Sequence, residues 1–139
     1  MKNKLKVVLD TNILLVSISD RSEFYPIFKA IRDNKIDIAV SNDILLEYEE
    51  IISKKMGHDI AEEVIRALIF LPSIHKTTPY FHWQLIDKDK DDNKFVDCVV
   101  AANADYLVTN DKHFDILKNI DFPNIKVINI DEFMELLIS

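Results

Sequence analysis

Asp91 opens the stretch DDNKFVDCVVAANADYLVTNDKHF, which ends at Phe114. Phe95, Val96 and Val99 recur at helical spacing, so residues 92–103 predict a helix. Tyr106 to Thr109 is a short, continuously apolar run of the kind that forms a buried strand. Asp111 follows its carboxyl end, and Lys112 to Asn119 predicts another helix. A helix, a buried strand and an acid just past the strand thus succeed one another within two dozen residues.

The same alternation extends outward in both directions. Leu5 to Asp10 predicts a strand, Glu23 to Asp33 a helix with Pro26 in its first turn, and Ile36 to Val40 a second strand. Ser41 is placed to cap a helix over 42–55 that Gly57 ends, and Asp59 to cap another running to Leu71, before Pro72. The stretch from Ser73 to Ile86, with Pro72 before it, is rich in β-branched and aromatic residues and predicts a third strand. Beyond the opening motif come a strand over Ile125 to Ile130 and a helix over Asp131 to Leu137. Short apolar strands alternating with helices imply an α/β fold with a central parallel sheet covered on both faces. In such sheets ligands sit at the carboxyl ends of strands where strand order reverses.

Composition narrows the chemistry. The 139 residues suit one domain over 1–139, with no repeat, low-complexity tract or Gly/Ser linker to begin a second. Gly57 is the only glycine, where average usage of about 7% would give roughly ten. Glycine-rich phosphate loops and dinucleotide turns are therefore excluded. A lone Cys98 allows neither an internal disulfide nor a multi-cysteine zinc site and fits a reducing compartment, so the cytoplasm is expected. The N-terminal apolar stretch, interrupted by Lys6, Asp10 and Asn12, does not read as a signal peptide, and no run approaches a membrane span.

Acids stand where the fold would place a site. Asp10 ends the first strand in Asp-Thr-Asn, and Asp111 follows the fourth. Glu47 borders the apolar face set by Ile44, Leu45, Tyr48, Ile51 and Ile52, whereas Glu50 points away from it. In the charge run from Asp87 to Asp92, most of which reads as a solvated loop, Asp92 falls on the side of Phe95, Val96 and Val99. Asp97 falls nearly opposite and reads first as a surface acid, with a site role as the alternative. Carboxylates converging on one pocket repel one another unless a cation compensates them, and all-oxygen ligation favours Mg²⁺ or Mn²⁺. Such ions support phosphodiester hydrolysis. The formal charge of −7 on a first reading argues against a nucleic-acid partner, but without those five acids it becomes −2. Lys94 and Lys112 stand near candidate acids and are available for backbone phosphates.

Other motifs have plainer readings. His58, His75, His82 and His113 show no ligand spacing among themselves and read as partly exposed structural residues, His113 being the one nearest a candidate acid. Tyr80, Phe81 and Trp83 read as packing in the core of the sheet, with base stacking or a dimer contact as alternatives.

Together, LDTN at Asp10, SNDILLEYEE around Glu47, the long motif from Asp91 to Phe114 and the closing DEFMELL resemble PIN-domain proteins of the toxin-antitoxin type, the VapC-like toxins. The resemblance covers nearly the whole chain. It implies a Rossmann-like three-layer α/β/α sandwich and a Mg²⁺- or Mn²⁺-dependent endoribonuclease. Asp10, Glu47, Asp92 and Asp111 match the family's four acidic positions, and Thr11, Asn12, Ser41 and Thr109 match polar positions that orient them. A homodimer and an antitoxin partner that occupies the acidic groove are implied by the resemblance alone. Asn110 replaces the family's usual glycine, and the middle acid is either Asp92 or shared with Asp97. Two other readings compete: a catalytically silent PIN-like binding module, and a metal-dependent phosphatase, whose paired-Asp signature would need an acid where Asn12 stands.

Overall fold

The computed structural model describes residues 4–138. Its five strands, β1 (Lys6–Leu9), β2 (Asp37–Val40), β3 (Ile74–Lys76), β4 (Tyr106–Val108) and β5 (Val127–Ile128), form one sheet in the order β3-β2-β1-β4-β5. Every neighbouring pair is parallel, with Val7 opposite Ile38 on one side and Val8 opposite Leu107 on the other. The chain lays β2 and β3 outward from β1, then crosses back to add β4 on the other flank. Strand order therefore reverses between β1 and β4, and the carboxyl ends of these two strands frame the crevice expected to take a ligand.

Past their first residues the central strands are apolar because both faces are covered. Val7, Val8, Leu9, Ile38, Ala39, Val40, Leu107 and Val108 are all fully buried, each worth about 1.5–3 kcal/mol for the larger side chains. The edge strand β3 carries exposed His75 and Lys76, which discourage further pairing. Helices α1 (Thr11–Ser17), α2 (Tyr25–Arg32), α3 (Asn42–Met56), α4 (His58–Phe70), α5 (Asn93–Ala102) and α6 (Ile130–Ile138) complete the three-layer sandwich. Helix α5 lies across β1, β2 and β4, while α2 packs on α1 and α6.

Local chemistry explains the boundaries. Ser41 caps α3 by accepting the Ile44 N–H at 3.3 Å, and Gly57, at φ +98°, ends α3 and leads straight into α4. Asp59 is therefore not the cap of α4 but a first-turn acid facing the positive end of the helix. Asn103 ends α5 in the left-handed conformation a glycine would usually take.

Four expectations change. Residues 11–17, unassigned from the pattern, form α1, which starts directly after Asp10 at the end of β1 and buries Ile13 and Leu14. The third strand is only Ile74–Lys76, and residues 77–87 run on as an irregular strap. Residues 112–119 are 3₁₀ rather than α-helical, as is the turn Lys90–Asp92 that precedes α5. β5 is likewise shorter than the apolar run around it.

Candidate active site

Asp10 leaves the end of β1 with its backbone N–H donated to Val108 O of β4 at 3.0 Å. The residue is only 8% exposed. Asp10 Oδ2 accepts the Thr109 hydroxyl at 2.7 Å, and the same hydroxyl oxygen accepts the Asp111 N–H at 2.9 Å. The buried Thr109 thus ties together the two acids that follow β1 and β4. Burial pushes the Asp10 carboxyl above its ordinary value, the negative charges of Asp111 and Glu47 push it further, and the Thr109 bond opposes them. Asn110, between Thr109 and Asp111, turns the other way and accepts the Ile130 N–H at the start of α6 at 3.0 Å. The open side of Asp10 and Asp111 meets a cavity of about 320 Å³, which Asn12 and Asn110 also line.

Glu47 reaches the same place from α3. Its neighbour Tyr48 is completely buried and donates its hydroxyl to Leu9 O at 2.6 Å, which pins α3 to the end of β1 one residue from Asp10. The Thr11 hydroxyl donates to Glu47 Oε2. Lys94 Nζ lies 2.6 Å from Glu47 Oε1 and 2.9 Å from Asp91 Oδ1. Burial alone would lower the Lys94 ammonium's pKa, but the two carboxylates raise it above its usual value. Glu47 and Lys94 line a second, larger groove of about 910 Å³, walled by Thr77, His82 and Gln84 of the strap.

Asp92 closes the set from the 3₁₀ turn before α5. Its pKa is raised to about 6, first by burial and then by the charges of Asp89, Asp111 and Asp10, against a hydrogen bond from His113. The structure therefore brings Asp10, Glu47, Asp92 and Asp111 into one electrostatic neighbourhood at the reversal of strand order. Thr11 and Thr109 orient two of them. Ser41, by contrast, spends its hydroxyl on the α3 cap.

This donor set fits a hard divalent cation. It offers oxygens alone, and two of its carboxyls are destabilised as anions in the way a bound cation would relieve. The chain's single thiol, Cys98, is buried and pushed up to about 12, so it stays protonated.

Several residues lie elsewhere than the sequence suggested. Asp97 is not a surface acid: at 5% exposure it accepts the Trp83 N–H at 2.9 Å and pairs with His82 Nδ1 at 3.1 Å. The strap covers the flank of α5 that periodicity assigns to solvent, and Asp97 anchors that cover instead of joining the four acids. Nor do the aromatics pack in the sheet. Tyr80 is 92% and Phe81 63% exposed, while Trp83 meets Phe81 and Phe122 edge-on, at 4.6 and 5.6 Å between ring centres. Lys94 is held between Glu47 and Asp91 and not free for phosphate. The grouping of Asp89 with Asp92 and His113 was not anticipated; the position of His113 two residues past Asp111 was its only signal.

A parallel sheet with acids gathered at its switch point defines a class of Rossmann-like acidic-site domains. Within that class the chain belongs to the PIN-domain family, which its sequence matches over residues 6–113. Its fold is similar to that of VapBC2 from Rickettsia felis, solved bound to a promoter DNA fragment, at 21% identity and a TM-score of 0.62 over 90% of this chain and 98% of that one. VapC20 of Mycobacterium tuberculosis, described as a toxin cleaving the sarcin-ricin loop, aligns at 14% identity and a TM-score of 0.57 over 78% and 92% of the two chains. The DNA-bound VapBC of Salmonella typhimurium aligns at 16% identity and a TM-score of 0.57 over 91% and 98%. No curated protein matches the chain in sequence.

Proposed function

We propose that this chain, as a single PIN domain over 1–139, is a metal-dependent endoribonuclease and the toxin of a toxin-antitoxin pair. The observation that carries the reading is the coupling of Asp10, Glu47, Asp92 and Asp111 around the ends of β1 and β4, with Asp10 and Asp92 raised by burial and by neighbouring charge. Membership of the PIN-domain family supports it, as does the fold shared with a toxin described as cleaving the sarcin-ricin loop. The VapBC complexes among its structural relatives support an antitoxin partner. A homodimer and a cytoplasmic location complete the proposal; among the described residues no helix is long and apolar enough to cross a membrane.

Asp10, Glu47, Asp92 and Asp111 would hold Mg²⁺ or Mn²⁺, which when bound polarises a phosphoryl oxygen and lowers the pKa of water. The rest falls to the chain. Thr109 fixes Asp10 Oδ2 and the Asp111 backbone together, so that the two acids cannot separate when a phosphate approaches. Thr11 and Lys94 hold the two oxygens of Glu47 in one orientation. Asp111 Oδ1 accepts the His113 N–H at 2.9 Å, and Oδ2, which none of the described hydrogen bonds engages, takes the proton of the attacking water. No protein nucleophile is needed.

Cleavage of a labelled mixed-sequence RNA with Mn²⁺, beside an EDTA control and Asp111→Asn, tests the reading. Cutting that needs both the metal and the wild-type acid supports it. Equal behaviour of wild type and variant, or no metal-dependent cutting of varied RNAs, overturns it.

A further inference from the structure

The cavity of about 320 Å³ beside Asp10 and Asp111 has an apolar wall that the chemistry of the acids does not use. Its size falls within the usual range of small-ligand pockets. Ile13 and Val16 of α1, Phe24 just before α2 and Ile130 at the start of α6 supply the wall. Ile13 and Ile130 are buried, Phe24 is half-buried and Val16 is 41% exposed, so apolar surface is left facing open space. The wall is also held together from within. The Ser22 hydroxyl donates to Val16 O, and its oxygen accepts the Phe24 N–H at 3.0 Å, which ties α1 to the start of α2. Phe24 O in turn accepts the Ile27 N–H at 3.0 Å, fixing the backbone that carries the ring.

Two amides complete the lining. Asn110 holds the Ile130 N–H through Oδ1, and none of the described hydrogen bonds engages its Nδ2 or either end of the Asn12 amide. Among the described residues that line the cavity none is basic, so it does not suit a second phosphate, which would want a counter-charge. A ring face, aliphatic neighbours and unengaged amides suit a flat, neutral group with hydrogen-bonding edges. We infer that this cavity holds the nucleobase next to the scissile phosphate, packed on Phe24 and Val16 and read along its edge by the Asn110 and Asn12 amides. On the nuclease reading, on which this rests, a phosphate at Asp10 and Asp111 brings its own nucleoside to the adjoining wall, because sugar and base are tethered to it. Asn110 stands in the position that the resemblance gives to glycine, and a glycine there would offer no side-chain amide. The base contact is thus a property of this chain.

Two readouts test it. In the first, NMR spectra of the purified chain in Mg²⁺ buffer are recorded with each of the four nucleoside 5′-monophosphates and with ribose 5-phosphate. Backbone amide signals of residues 12–24 and Asn110 should shift with at least one nucleotide and not with ribose 5-phosphate. The second is cleavage of RNA carrying an abasic residue on either side of the mapped cut, by wild type, Phe24→Leu and Asn110→Ala, whose folding circular dichroism checks. One abasic position should lower wild-type kcat/KM about tenfold or more, and the same change should cost Phe24→Leu no more than about threefold. Asn110→Ala should flatten the preference among the four bases at that position. No nucleotide-specific shift, or indifference of wild type to both abasic positions, overturns the inference and leaves the cavity to an apolar side chain of a partner protein. A full abasic penalty retained in Phe24→Leu, with activity lowered equally on both RNAs, overturns it too, by making the ring a support of α2 alone. Metal-dependent cutting that ignores the base sinks only this inference, whereas no cutting of any RNA sinks the nuclease reading with it.

Discussion

The two flanks of the acidic site manage negative charge in opposite ways. On the β1–β4 flank, Asp10 and Asp111 are linked through one threonine hydroxyl, and among the described residues no cationic side chain contacts Asp10. On the α3–α5 flank, Glu47 and Asp91 share Lys94, a cation supplied by the chain itself. The first flank is left with charge to be compensated from outside, whereas the second is largely balanced on folding. Under the proposed function, the difference places the demand for an external ion on Asp10 and its neighbours and makes Glu47 a steadier, pre-oriented wall.

The sharpest way to break this contrast is Asp10→Asn, which keeps an acceptor for Thr109 but removes the charge. RNA cleavage in Mn²⁺ should fall on the order of 10²- to 10³-fold, while metal-free thermal stability should stay level or rise, because an unfavourable buried charge is gone. Lys94→Met attacks the other flank. It should leave Glu47 uncompensated and lower activity more than stability, with a stability loss of no more than about 1 kcal/mol, read by kcat and by thermal unfolding. Loss of stability without loss of activity would dissolve the distinction between the flanks.

Smaller effects sharpen it. Tyr48→Phe removes the bond to Leu9 O that registers α3 on β1 and should cost about 1 kcal/mol, with a reduced cleavage rate at unchanged metal stoichiometry. Asp97→Ala should cost about 1–3 kcal/mol by leaving the Trp83 N–H unpaired, and should speed amide exchange across residues 77–87. The last prediction concerns pH. Asp92 holds its proton more tightly in the fold than in the unfolded chain, so its contribution to metal-free stability is fully present below the ordinary carboxylate pKa of 3.8 and is lost as pH rises through about 6. Unfolding midpoints across that window should decline with pH in wild type and flatten in Asp92→Asn.

The sheet was legible because continuous burial writes itself as apolar runs, as in Val7–Leu9 and Ile38–Val40. Asp10, Asp111 and Glu47 were legible for a related reason: strand ends and helix faces are local properties. Asp97 was not, because its burial depends on the strap, whose course no periodicity encodes. The exposed aromatics failed for the mirror-image reason, since strand propensity in 78–83 cannot tell whether a partner strand is within reach. Lys94 stood three residues from Asp91, but its bond to Glu47 crosses between α3 and α5, a contact only the tertiary fold creates.

The pairing of β1 with β4 also governs when activity can arise during synthesis. Thr109 and Asp10, the hydrogen-bonded pair at the centre of the site, are 99 residues apart. Contacts of such long range form late, after the entropy of closing the intervening chain has been overcome. A nascent chain already bearing Asp10 and Glu47 still lacks the strand that completes the crevice. The ribosome must deliver most of this protein before the four acids can meet, so truncated translation products carry half a site.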